Sequence, residues 1–142
     1  MLEFTPIAIR SLMLENQALI NALGAGDAMR VYPVEAPDGA ELPYVVYHQM
    51  EERLIGTKDA QVNNGWEFLV TVHTQDPGAY LASKRISRST RLALDFKTSQ
   101  VLDDNGDAFT LRLKYTGQED ITPEYSKDLI IIALAFRGSK IS

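Results

Sequence analysis

The segment Leu129-Ile130-Ile131-Ile132-Ala133-Leu134-Ala135-Phe136 restricts the fold more than any other stretch of the 142-residue chain. Its β-branched and aromatic density predicts a strand over about 128–137. Both of its alternating faces are apolar. Ile130, Ile132, Leu134 and Phe136 fall on one side, and Leu129, Ile131, Ala133 and Ala135 on the other. A strand apolar on both faces has to be covered on both. One helix covers one face; the other needs the first helix of the chain or a neighbouring subunit.

The remaining strands alternate on one side only. Trp66, Phe68, Val70 and Val72 interleave with Glu67, Leu69, Thr71 and His73, and Phe109, Leu111, Leu113 and Tyr115 with Thr110, Arg112, Lys114 and Thr116. Tyr44 to Met50 is β-branched and aromatic, and a short strand at Met29 to Tyr32 is closed by Pro33. Thr5-Pro6 pairs a cap with a proline at the first helical position. Ile9, Leu12, Met13, Leu19, Ile20 and Leu23 then recur at helical spacing until Gly24 and Gly26 end the run; Asn16 is placed to cap a second, shorter helix.

Asp76-Pro77 repeats the cap-and-proline device before a helix over 79–96. Its expected inner side is Leu81, Ala82, Ile86, Ser89, Leu92, Ala93 and Phe96; its expected outer side is Tyr80, Lys84, Ser87, Arg88 and Arg91. Pro37-Asp38-Gly39 marks a surface loop over 34–43, residues 51–64 read as a long polar loop, and residues 103–107 read as a turn. The order helix, strands, helix, strands lacks a regular βαβ alternation. It predicts one α+β domain over 1–142, with a mainly antiparallel sheet of about four to five strands packed with two main helices.

Composition narrows the functional classes. A hydrophobic fraction of 45% against 23% charged is that of an ordered chain. The net charge of −5 argues against tight nucleic-acid binding, which needs a basic excess to neutralise phosphates. The absence of cysteine removes disulfides, thiolate catalysis and cysteine zinc sites. Met-Leu-Glu-Phe-Thr-Pro has no basic n-region of a secretory signal, and no apolar run approaches the roughly 20 residues that span a bilayer. The expected compartment is the cytosol.

The patterns of catalysis are not present in the sequence. His48 and His73 fall on strands expected to be neighbours, His73 on the polar face of its strand, but no HExxH and no third ligand at a fixed offset accompany them. Ser83, Ser87 and Ser89 have no G-x-S-x-G context, and Gly24-Ala25-Gly26-Asp27 follows a helix, the wrong setting for a phosphate cradle. Asp103-Asp104-Asn105-Gly106-Asp107 lacks the glycine offset and closing glutamate of a calcium loop. No catalytic residue, cofactor or metal is therefore expected, and the chain is not expected to be an enzyme. A small ligand-binding domain or enzyme using His48 or His73 is the alternative from a different class. Lys84, Arg88 and Arg91, with Arg85 at their edge, form a basic stripe that is either a solvated helix face or a docking site for phosphate or an acidic partner surface.

An ordered set of short motifs supplies a family. Arg30-Val31-Tyr32-Pro33, then Ala36-Pro37, then Leu42-Pro43-Tyr44-Val45-Val46-Tyr47 resembles the tail-completion or tail-terminator proteins of long-tailed bacteriophages and prophages. The likeness continues through the strand at 66–73, the helix at 79–96 with its Leu94-Asp95, and the last strand ending near Phe136-Arg137. Residues 97–107 and 117–124 match no motif of the family. The resemblance implies a subunit that forms a ring, commonly a hexamer, on the end of the tail tube and mediates head–tail joining. Its implied partners are other copies of itself, the tail tube protein and the head–tail connector protein, with DNA passing through the channel without specific binding and no membrane involved. The implied location is the tail–head junction of the virion, reached from the host bacterial cytoplasm during assembly. A neck or head-completion protein of the connector is the nearest rival. On this reading Leu129, Ile131 and Ala133, together with Lys84, Arg88 and Arg91, are the candidate subunit or partner interface.

Overall fold

A computed structural model describes residues 5–49, 65–75, 79–102, 106–122 and 129–140. Helices α1 (Thr5–Leu14) and α2 (Gln17–Leu23) come first, followed by a 3-10 turn at Gly26–Ala28 and strands β1 (Val31–Pro33), β2 (Tyr44–Gln49) and β3 (Gly65–Gln75). Helix α3 (Ala79–Leu94) leads into β4 (Thr98–Leu102), β5 (Ala108–Asp120) and β6 (Leu129–Lys140). The expected long loop at 51–64, the Asp76-Pro77 opening of α3 and most of the turn at 103–107 lie outside the described residues.

The α+β class agrees with the sequence. The strand count is corrected upward: among the described residues six strands form one sheet in the order β1-β2-β3-β6-β5-β4. Only β1 and β2 run parallel; every other neighbouring pair is antiparallel. The additional strand is β4, whose Thr-Ser-Gln-Val-Leu has no clean alternation and is held only at one edge by β5. The first helical run divides in two at Asn16, the cap residue that the sequence offered. Leu14 ends α1, and the Asn16 side chain accepts a 3.0 Å hydrogen bond from the Leu19 N–H to start α2. Gly24, at φ 100°, closes α2 with its N–H on the Ile20 carbonyl, and a Cβ there would sit 2.8 Å from the Ala28 carbonyl oxygen. Asn16→Ala is expected to cost about 1 kcal/mol, read as a melting temperature lower by a few degrees.

Register sorts the sheet into two faces. Phe68, Val70 and Val72 of β3 lie opposite Phe136, Leu134 and Ile132 of β6, and Val45 and Tyr47 of β2 join them across Val72 and Val70. This face carries the core, together with Leu111 and Leu113 of β5 and Val31 of β1. Ile9, Met13, Leu19, Leu23, Ile86, Ala93 and Leu94 of the helices pack into the same cluster. Helix α1 touches both β2 and β4, which are four strand positions apart in the sheet. A flat sheet would separate them by about 19 Å, so the sheet curls around its helices.

The second face holds Tyr44, Val46 and His48 of β2, Leu69, Thr71 and His73 of β3, and Leu129, Ile131, Ala133 and Ala135 of β6. None of these belongs to the core cluster. The sequence left open whether the first helix covers the second face of the last strand. It does not: α1, α2 and α3 all pack into the cluster on the other side.

Candidate functional site

Helix α3 has turned relative to its expected orientation, and this is the main correction to the sequence reading. Leu81, Leu92 and Phe96, expected inside, are 55%, 61% and 63% exposed, whereas Ser87, expected outside, is buried. The face against the sheet is Ser83, Ile86, Ser87, Thr90, Ala93 and Leu94. These residues follow the same three-and-four spacing as the expected set, in a different phase. Three small hydroxyl residues let the helix lie close to β3 and β6, where leucines in their place would hold it off. The hydroxyl oxygens of Ser83, Ser87 and Thr90 are buried without a hydrogen-bond partner. Phe96 ends the helix in the left-handed region at φ 61°, donating its N–H to the Leu113 carbonyl at 2.9 Å.

The turn of α3 leaves its cations outward. Lys84, Arg88 and Arg91 line one wall of an open cleft of about 400 Å³ whose other wall is Gln118, Glu119 and Asp120, with Ile132 in its lining. Arg91 is held in place: its guanidinium lies 4.1 Å from the Tyr115 ring centroid and its Nε 3.8 Å from an Asp95 carboxylate oxygen. The other Asp95 oxygen accepts the Tyr115 N–H at 2.9 Å, which ties the end of α3 to β5. Hydrogen bonds from the Thr122 side chain and backbone hold the Asp120 carboxyl below its usual range, so it stays charged. The basic wall anticipated from the sequence is thus present, and it faces an acidic wall that periodicity on α3 alone does not reveal.

Leu129, Ile131 and Ala133 sit together on the sheet face that packs none of the three helices, Ile131 opposite His73 and Ala133 opposite Thr71, with Ala133 buried and the other two half-buried. They are on the other side of the sheet from the α3 stripe, so the six candidate residues form two surfaces. His48 and His73 also share the helix-free face but do not meet. His73 pairs with Tyr44 and His48 with Leu69, four residues further along β2, or about 13 Å. Among the described residues no group of three or more His, Asp or Glu side chains is placed to hold a metal ion, and no helix is long and apolar enough to cross a membrane.

His73 has a structural role that the strand explains. Its ring stacks on Tyr44 with centroids 4.6 Å apart, and its Nε2 lies 3.0 Å from the Thr71 hydroxyl. The Thr71 hydroxyl donates to the Val46 carbonyl at 3.4 Å, so its oxygen accepts from Nε2–H and leaves Nδ1 as a buried, unpartnered lone pair. Burial lowers the His73 pKa, because an added proton on Nδ1 would find neither water nor an acceptor. The unfolded chain, with a histidine pKa of about 6.5, binds that proton first. Stability is therefore complete above pH ~6.5, falls as pH drops through that value, and levels off below the folded-state pKa. Urea midpoints measured from pH 7.5 to 5 should show this decline, and His73→Gln should flatten it.

No protein-family model matches the chain, and no curated protein matches it. Its architecture is an α+β fold with helices gathered on one face of a curled six-stranded sheet, and solved structures share it. A chain in the virion of a native gene transfer agent particle superposes with a TM-score of 0.66 at 18% identity, covering 96% of this chain and 93% of that one. A second solved protein, whose name carries no function, superposes with a TM-score of 0.57 at 10% identity over 97% and 96% of the two chains. At these identities the likeness is one of fold.

Proposed function

We propose that this chain is a virion structural protein of the bacteriophage type, working by assembly and catalysing no reaction. The observation that carries the reading is the fold likeness to a gene transfer agent virion chain, which extends over 96% of the present one. The ordered motifs from Arg30 to Tyr47 point the same way. So does β6, whose Leu129, Ile131 and Ala133 lie on a face that packs no helix of its own core. The specific role we assign is that of a tail terminator, a ring of copies, commonly six, that caps the tail tube and docks the head–tail connector. DNA passes through its channel unbound, which a net charge of −5 favours by repelling phosphate. The assembly takes place in the host bacterial cytoplasm and ends at the tail–head junction.

Light scattering after size exclusion tests the ring. A species of six times 15.8 kDa, with a central channel in electron micrographs, is the expected result. A pull-down then separates the two virion roles. Capture by the tail tube protein is expected of a terminator, whereas capture by connector proteins alone would replace it with a neck protein. Loss of function in a His48→Ala, His73→Ala variant whose assembly is intact would instead favour a ligand-binding domain or enzyme.

A further inference from the structure

Two of the exposed large apolar residues of the described structure, Leu81 and Leu92, share one line of helix α3. Leu81, Arg85, Arg88 and Leu92 follow one another at spacings of four, three and four, which places them on one stripe of α3 about 16 Å long. The stripe is leucine at both ends and arginine between. Among the described residues neither Arg85 nor Arg88 has an ion-pair partner. Over its sixteen residues α3 carries four basic side chains and no acidic one. Taking four from a net charge of −5 leaves −9 on the rest of the chain, so charge is strongly segregated. A solvated helix would not need leucines 55% and 61% exposed on its outer line while hydroxyls are buried on its inner one.

The complementary pattern occurs once the chain leaves β1. Residues 34–41, Val-Glu-Ala-Pro-Asp-Gly-Ala-Glu, hold three acids and no base. Among the described residues Glu35, Asp38 and Glu41 are exposed and have no ion-pair partner. At the head of this turn Val34 is 74% exposed, the most exposed large apolar residue described. Its backbone is held at φ 67° by the Glu35 N–H on the Pro33 carbonyl at 2.7 Å, a three-residue γ-turn, while its own N–H reaches the Tyr47 carbonyl at 2.9 Å. A β-branched residue is costly in that region, and glycine would fit it without strain. The chain therefore holds an apolar side chain outward just past the edge strand β1, at the start of a segment with three exposed carboxylates.

We propose that copies of this chain join head to tail, the acidic turn 34–41 of one copy lying on the Leu81–Arg88–Leu92 stripe of the next. The inference rests on the ring reading above and names one of its contacts. The partner is a second copy because the two patches are opposite in charge, both carry an exposed apolar anchor, and they lie on different elements of one chain. That is the requirement for a heterologous contact, in which each subunit uses one surface to bind forward and another to bind back.

The absence of cysteine makes the test clean. Val34→Cys and Leu92→Cys proteins, mixed and mildly oxidised, should give a disulfide-linked dimer that neither gives alone. The doubly substituted chain should give a ladder of linked multimers. Thr98→Cys, exposed on the opposite edge strand, mixed with Leu92→Cys should give none. Arg88→Glu should weaken assembly by about tenfold or more with the far-ultraviolet spectrum unchanged, and added salt should weaken wild-type assembly. Oligomers of wild-type mass without the Val34–Leu92 link, or an Arg88→Glu protein that assembles normally, would overturn this contact and leave the ring standing. A wild-type chain that stays monomeric at every concentration, alone and with tail tubes, would overturn both.

Discussion

Gly138→Val is expected to lower the melting temperature by roughly 5–10 °C, through an overpacking cost of up to about 3 kcal/mol. Gly138 lies in β6 across from Leu113, with the Cα hydrogen that a side chain would replace turned into the core face. A Cβ at this position would sit 2.6 Å from Phe68 Cε2 and 2.9 Å from Leu111 Cδ1. Both neighbours are only 1% exposed, so neither can swing into solvent to make room. The glycine thus serves close approach of side chains, since its backbone needs no unusual dihedral angle. Phe68→Leu in the same protein removes the ring edge that a new side chain would strike. The double variant should therefore recover part of the loss, giving a coupling energy of opposite sign to the single effects. Thermal unfolding of the four proteins measures it. A Gly138→Val chain that melts with the wild type would show that the Phe68 and Leu111 side chains give way without cost.

The second large effect concerns the helix-free face. Ile131→Asp places a carboxylate between His73 and the apolar residues of β6. The side chain is half-buried and belongs to no helix-covered cluster, so the monomer should fold, with melting shifted by only a few degrees. Assembly is another matter. An interface closing over this face would have to desolvate the new charge without a partner, which costs several kcal/mol and would abolish binding at micromolar concentrations. Lys84→Asp, on the other side of the sheet, should leave the monomer intact and serves as the folding control. Sedimentation across a concentration series, alone and with tail tubes, gives the comparison. Normal assembly of the Ile131→Asp chain would mean that no subunit contact closes over Ile131 in the particle.

Much of this architecture is written plainly in the residues. Strands β3 and β5 are legible because half-burial imposes a period of two, and β6 because burial within a sheet removes the polar half of that period. The break between α1 and α2 is legible because an asparagine side chain can cap a helix where a leucine cannot. Helix α3 misleads for a specific reason. Periodicity assigns leucine inward and serine outward, whereas tight packing on β3 and β6 selects by size. Leu81 and Leu92 are then left on the outer surface. Strand β4 escapes notice because an edge strand with one neighbour imposes little pattern on its side chains. The acidic wall at Glu119 and Asp120 is hidden from sequence because it meets α3 only after the chain has passed through two further strands.

The sheet order has a kinetic consequence. β6 comes after every other strand in the chain, yet it lies at the middle of the sheet, bonded to β3 on one side and to β5 on the other. While a ribosome is still making it, the β1–β2–β3 half and the β4–β5 half have no common strand and each shows an unpaired edge. β6 pairs with β5 over residues as few as twelve apart, whereas its pairing with β3 joins residues more than fifty positions apart and should come last. Such non-local closure is slow, on the order of milliseconds to seconds, and leaves sticky edges open meanwhile. Insertion of β6 should therefore set the refolding rate, and it should also be what completes the sheet face carrying Leu129, Ile131 and Ala133.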